Sequence, residues 1–229
     1  MNSDFFNHIK QAISEDRINS YGQDGATELV ILSRYLWNIA ICQALYSPLQ
    51  MAEIALRNAA NQAFTGQYGI DWYDKAPLLA LHQTQIGNAK SKIAKQGKAI
   101  TLSRVVEELH FGFWVSFFNK SNSNNPLTLA LLKNDFKHCL RNERNIRFQN
   151  NRWNLVRNLR NCVFHHERII HWKDLARQHN LLIETIGWIS PELQEMAQRL
   201  DCFAETYSAG IDPWKEKIRN HWPNTKDNN

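Results

Sequence analysis

The stretch "SPLQMAEIALRNAANQAFTG", Ser47 to Gly66, reads as a helix with both ends marked. Ser47 is placed as N-cap, with Pro48 at the first helical position and Gln50 at the third. That capping-box arrangement satisfies amides that a first turn leaves unpaired. Leu49, Ala52, Leu56, Ala59 and Ala63 then recur at spacings of three and four, which makes one apolar face. Gly66 stands where the helix should stop. Upstream, Ala26 to Tyr46 repeats the pattern through Leu29, Leu32, Leu36, Ile39 and Ala40. Tyr35 to Ala52 carries no charge, yet it contains Asn38, Gln43, Ser47, Pro48 and Gln50. It is too polar and too interrupted to span a bilayer, and it predicts two core helices joined at Ser47-Pro48.

The same punctuation continues outward. Pro77 opens a helix running to about Gly97. Thr101 caps the next, with Leu102, Val105, Val106, Leu109 and Phe113 inside it. "FGFWVSFF" has β-propensity but sits within a 3.6-residue pattern, so it reads as helix. "KSNSNNP", Lys120 to Pro126, is the clearest surface loop, and a helix from about Leu127 to Leu140 follows it. Ser190-Pro191 repeats the Ser-Pro opening with Glu192 in the first turn, and the last residues, 222–229, look frayed. No alternating apolar run of convincing length occurs. The class is therefore all-α, one domain over 1–229 with N-terminal helices over 1–66.

Composition bounds the rest. The chain has 229 residues, 43% hydrophobic and 21% charged, which is enough for a sizeable core. Its formal charge of +5 points to an anionic partner. Arg141 to Arg177 holds nine basic residues against three acidic ones, an excess of six that is larger than the net charge of the whole chain. Cys42, Cys139, Cys162 and Cys202 form no CxxC pair, so reduced thiols in a cytoplasmic protein are expected. The opening "MNSDFFNHIK" lacks the basic and apolar regions of a secretory signal.

Within the basic segment lies "LVRNLRNCVFHHERIIHW", Leu155 to Trp172. A helix over about 152–170 puts Leu159, Cys162, Val163, His166 and Ile170 in one sector beside Leu155, with His166 as a packed or auxiliary histidine. Arg157, Asn161 and His165 stand at i, i+4 and i+8 on a neighbouring polar stripe. Cations beside an imidazole favour its neutral, proton-accepting form, as a general base requires. On an unbroken helix Arg160 points about 140° away from His165. Either the helix distorts there, or two copies of the motif face each other across a two-fold axis.

"RNCVFH", Arg160 to His165, matches the Arg-Asn-x-x-x-His signature of HEPN (higher eukaryotes and prokaryotes nucleotide-binding) domains. "LRNCVFHHERI" also resembles a segment of the Abi-like (abortive infection) family. "RYLWNIAICQALYSPLQMAEIALRNAANQAF", "ELHFGFWVSFF" and "LIETIGWISPE" are similar to blocks of that family in the same order. Together these cover roughly Ile31 to Leu200. The resemblance implies a HEPN-type helical bundle with additional helices, and a homodimer with the motifs facing across the interface. It also implies a metal-independent endoribonuclease acting as a toxin in phage defence, restrained by an antitoxin RNA or protein. Arg160, Asn161 and His165 are then the catalytic positions, with no cofactor and no metal. Many relatives have Pro where this chain has Arg168. Arg141, Arg144, Arg147, Arg152, Arg157 and Arg168 are candidates to track an RNA backbone.

Two rivals remain in view. His165, His166 and His171 lack the i, i+4 spacing useful for zinc. A catalytically silent HEPN module that binds RNA or a protein partner has the same residues and fold. A second Arg-Asn step, Arg57-Asn58, has no histidine in register and reads as structural, with Arg57 paired to Glu53 at i, i+4.

Overall fold

A computed structural model describes residues 3–221. Among them there is no strand; the protein is all-α. Its internal contacts divide the chain into two compact units that interleave in sequence. One comprises Met1–Tyr46, Cys162–Ala176 and Asp201–Asn229, and the other Ser47–Asn161 and Arg177–Leu200. The predicted tail, 222–229, lies outside the described residues.

Ser47-Pro48 does not end a helix. One helix runs from Glu28 to Tyr68 with Pro48 inside it, so the expected break is corrected. Proline removes one rung of the ladder and costs about 3 kcal/mol in a helix interior. Burial of Leu45, Pro48 and Leu49 around it offsets that cost. The stop also moves, from Gly66 to Gly69, which has φ +82 and donates its amide to the Thr65 carbonyl at 2.9 Å. By length and composition this helix could cross a membrane. Of its most apolar stretch, 33% is buried in the protein's own packing.

In the first unit, the helix Ser3–Ile13 turns Phe6, Ile9 and Ile13 to one side, as the 3.6-residue period dictates. They pack with Ile18, Leu32 and Ile218 from the helices Glu15–Asn19, Glu28–Tyr68 and Asp212–His221. Trp37 ties the helix Phe203–Ala209 to this group through its indole N–H, which donates to the Thr206 carbonyl at 2.9 Å.

The second unit is built around aromatic side chains. Phe64, Trp72, Phe113, Trp114 and Phe117 are linked by ring contacts into one cluster and are almost wholly buried. His82, on the helix Ala80–Lys95, stacks on Phe117 with centroids 4.3 Å apart, and its Nε2 lies 2.7 Å from the Ser116 hydroxyl. A second cluster joins Phe118, Phe136 and Trp153.

Several caps stand where the sequence places them. Thr101 accepts from the Arg104 amide, and Ser190 accepts from the Leu193 amide at 3.1 Å. "FGFWVSFF" is helical, α over Phe111–Val115 and 3-10 over Ser116–Phe118. The helix capped by Thr101 ends at Glu108, so Phe113 lies on a separate helix, and the helix expected from Pro77 starts at Ala80. Two further expectations also need correction. The segment Lys120–Pro126 is not simply surface, because Asn122 is buried and donates to the Ser116 carbonyl at 2.9 Å. The following helix is Pro126–Asn134 rather than reaching Leu140, which is exposed.

Candidate functional site

The helix that carries the motif spans Ile146–Phe164, earlier at both ends than the predicted 152–170. Asn145 caps it, accepting from the Phe148 amide at 2.9 Å. Trp153, Val156 and Leu159 are fully buried and fix which face turns inward. The chain is divided between the units at Asn161/Cys162, so Arg160 and Asn161 belong to one and His165 to the other. Each half is therefore described by itself.

Arg160 donates from Nε to Oε2 of Glu53 at 3.1 Å, with the two side chains about a quarter exposed, 27% and 25%. Glu53 was expected to pair with Arg57. It pairs with Arg160 instead, and the Arg57 Nε is buried without a hydrogen bond among the described residues. Asn161 is half-buried, and among the described residues its side chain has no hydrogen-bond partner.

Past Asn161 the helix closes in a Schellman cap. The Glu167 amide donates to the Cys162 carbonyl at 2.8 Å and the His166 amide to the Val163 carbonyl at 3.1 Å. His166 takes the left-handed position with φ +58. That region usually takes glycine, and histidine is one of the few other residues enriched there. The cap makes His165 the last half-helical residue. It is exposed, and its ring has no hydrogen-bond partner among the described residues.

The cause of this early stop lies in the first half of the long helix. Asn38 is buried, and its Oδ1 accepts from the amides of Ile169 (2.8 Å) and Ile170 (3.3 Å). Its Nδ2 donates to the Glu167 carbonyl at 3.0 Å. In a continued helix the Ile169 and Ile170 amides would bond the carbonyls of His165 and His166. Arg17 takes the His166 carbonyl at 3.0 Å. His166 is consequently exposed, not packed on the apolar stripe as expected.

Beside this cap is a cleft of about 570 Å³. One wall is a stripe of the long helix, with Tyr35, Ile39, Cys42 and Tyr46 at helical spacings, and the other is Val163, Phe164 and His166. Tyr46 and Phe164 stack with centroids 5.3 Å apart and planes 22° from parallel. Burial pushes the Cys42 thiol up to about 11. Burial first, then the Glu167 carboxylate, raises Cys162 to about 11 as well. Both are neutral thiols at neutral pH and poor nucleophiles.

The candidate RNA-tracking arginines fall into two sets. Arg152 is committed internally: Nη1 donates to the Glu184 carboxylate at 2.9 Å and to the Thr185 hydroxyl, and the guanidinium stacks on Trp188. Arg144 donates to the carbonyls of Cys139 and Lys137. Arg168 lies over the Tyr21 ring at 5.7 Å and donates to His171 Nδ1. Arg141 and Arg147 are exposed, and Arg157 is half-buried. Among the described residues no group of three His, Cys, Asp or Glu side chains is placed to hold a metal ion.

Asn38, the cap and the cleft were not singled out from the sequence. The available signal was polar Asn38 and Gln43 inside an otherwise uncharged helical run. The chain matches no family model, no curated protein and no solved structure.

Proposed function

We propose that the protein is a metal-independent endoribonuclease of the HEPN type, with Arg160, Asn161 and His165 carrying the reaction. The observation that supports this most directly is the state of His165. It is an exposed imidazole at the end of its helix, and among the described residues nothing hydrogen-bonds its ring. Such a group can accept and return a proton. RNA supplies its own nucleophile in the 2′-hydroxyl. In the proposed step His165 takes the 2′-hydroxyl proton, the 2′-oxygen forms a bond to phosphorus, and the bond to the 5′-oxygen breaks. The 5′-oxygen collects a proton, leaving a 2′,3′-cyclic phosphate and a 5′-hydroxyl. Arg160 steadies charge on the phosphoryl oxygens, and Asn161 orients the imidazole or donates to the phosphate. A homodimer is the assembly this reading favours, and an antitoxin RNA or protein would hold the activity in check during phage defence.

One observation favours a second reading, a silent HEPN module that binds RNA or a protein partner. Arg160 is already engaged by Glu53, which lowers its capacity to stabilise a developing phosphorane charge. One experiment separates the two readings. End-labelled RNA is incubated with the protein in EDTA and the fragment ends are identified. Cyclic-phosphate ends that disappear in Arg160→Ala and His165→Ala support the nuclease. Retained RNA without cleavage in the unaltered protein supports the module.

A further inference from the structure

We infer that the cleft beside the motif-helix cap is a nucleobase site, taking one unstacked base with its attached phosphate. The assignment deepens the RNA reading above and rests on it for the source of the base, but the site itself is argued from its own walls.

Size and shape come first. A volume of about 570 Å³ lies within the 300–1,000 Å³ typical of small-ligand sites, which are mostly apolar with a few placed polar groups. The occupant is flat and aromatic, because the aromatic wall is built for stacking. Tyr46 is 48% exposed although its ring is already paired with Phe164, so ring surface is left uncovered. A base stacked on such a ring is held by about 1–3 kcal/mol, whatever the base.

The polar groups choose among flat ligands. Gln43 lies one helical turn before Tyr46, is exposed, and has no side-chain hydrogen bond among the described residues. Its amide offers both donors and an acceptor, which matches the edge of a nucleobase. Asn38 does not serve this role, since the cap consumes its amide. Arg17 is exposed, and its one side-chain hydrogen bond among the described residues is to the His166 carbonyl. Its remaining guanidinium donors suit a phosphate. No Asp or Glu is among the lining residues, and Cys42 is a neutral thiol, so nothing on these walls repels an anion. Phe164 and His166 flank His165 in the chain and both line the cleft. A base seated here belongs to a nucleotide adjoining the proposed general base.

The test uses the full-length protein. Binding of 5′-AMP and 5′-UMP is measured by equilibrium dialysis for the unaltered chain and for Tyr46→Ala, Tyr46→Phe and Gln43→Leu. The expected result is a loss of about tenfold in Tyr46→Ala, rescue in Tyr46→Phe, and a smaller loss in Gln43→Leu. Ribose 5-phosphate and indole, which lack one half of the chemistry each, are expected to bind more weakly than either nucleotide. Equal binding of ribose 5-phosphate or indole overturns the inference, as does wild-type nucleotide binding by both Tyr46→Ala and Gln43→Leu. A second arm names the source. RNA with one abasic position, compared with intact RNA, is bound less tightly by the unaltered protein where the base comes from the strand. Equal binding of the two RNAs alongside tight mononucleotide binding identifies a free nucleotide instead. Dialysis does not depend on cleavage, so an inactive but nucleotide-binding protein retires the nuclease reading and leaves this site standing.

Discussion

The Nε–H of Arg160 donates to Oε2 of Glu53 at 3.1 Å, joining a residue of the proposed phosphate-binding pair to a carboxylate 107 positions earlier. Both side chains keep about a quarter of their surface in water, so the pair contributes modestly to stability, on the order of 1 kcal/mol. Its larger effect is on charge. Glu53→Gln releases the guanidinium from an anionic partner, and RNA affinity is expected to rise several-fold. The gain should shrink as salt is added, because ions screen the exposed part of the contact. Filter binding from 50 to 200 mM salt checks it, and unchanged or weaker binding refutes the electrostatic role.

The basic segment separates by substitution into structural and exposed arginines. Arg152→Ala removes a guanidinium that is only 10% exposed and leaves Glu184 and Thr185 without their partner, for a cost of about 2–3 kcal/mol in urea unfolding. Arg141→Ala and Arg147→Ala should barely move stability. Each instead lowers the slope of log affinity for RNA against log salt by about one, if it meets a phosphate. A normal unfolding midpoint for Arg152→Ala contradicts the assignment.

Two buried groups give opposite pH dependence. Burial lowers His82 from 6.5 to about 4, so between those values the unfolded chain takes up a proton that the folded chain refuses, and stability falls as pH falls. Burial raises Asp135 from 3.8 to about 6, with Lys137 opposing, so the folded chain keeps a proton the unfolded chain has lost, and stability falls as pH rises. Between about pH 4 and 6 the two contributions oppose each other. His82→Phe should turn the profile downward with rising pH, and Asp135→Asn should turn it upward. One proton of difference corresponds to about 1.4 kcal/mol per pH unit. Parallel curves for the variants and the unaltered chain in urea titrations at successive pH values exclude this account.

His166→Gly is expected to stabilise the protein by about 0.5–1 kcal/mol, since glycine enters the left-handed region without the penalty a side chain incurs. The Arg17 hydrogen bond survives, because it is to the His166 carbonyl. His166→Val should destabilise by more than 1 kcal/mol. Thermal melts of the two variants give the signs, and a loss of stability in the glycine variant contradicts the cap assignment.

Much of the helix pattern was legible in the residues, because the signals there are local. Thr101 and Ser190 cap through amides three positions away, and the apolar spacing of Leu49 to Ala63 needs no partner to be recognised. The failures at Pro48 and at His165 share a cause. Whether a helix passes a proline depends on what its neighbours bury, and the motif helix ends because Asn38, more than 120 positions away, captures amides that would have continued it. The pairing of Glu53 is similar: the local rule offered Arg57, and a distant arginine took it. Of the motif, the spacing Arg160-Asn161-His165 was visible at once, whereas the exposure of His165 follows from a cap no single-sequence pattern announces.

The Asn38 side chain bonds the carbonyl of Glu167 and the amides of Ile169 and Ile170, so three backbone groups share one anchor. None of them can be released singly without leaving the amide half satisfied. Deuterium uptake at Ile169 and Ile170 should therefore proceed in one joint opening, with equal protection factors that change together with denaturant. The stretch behind the two histidines behaves as a single latch, closed or open, and a ligand that touches any part of it senses the whole.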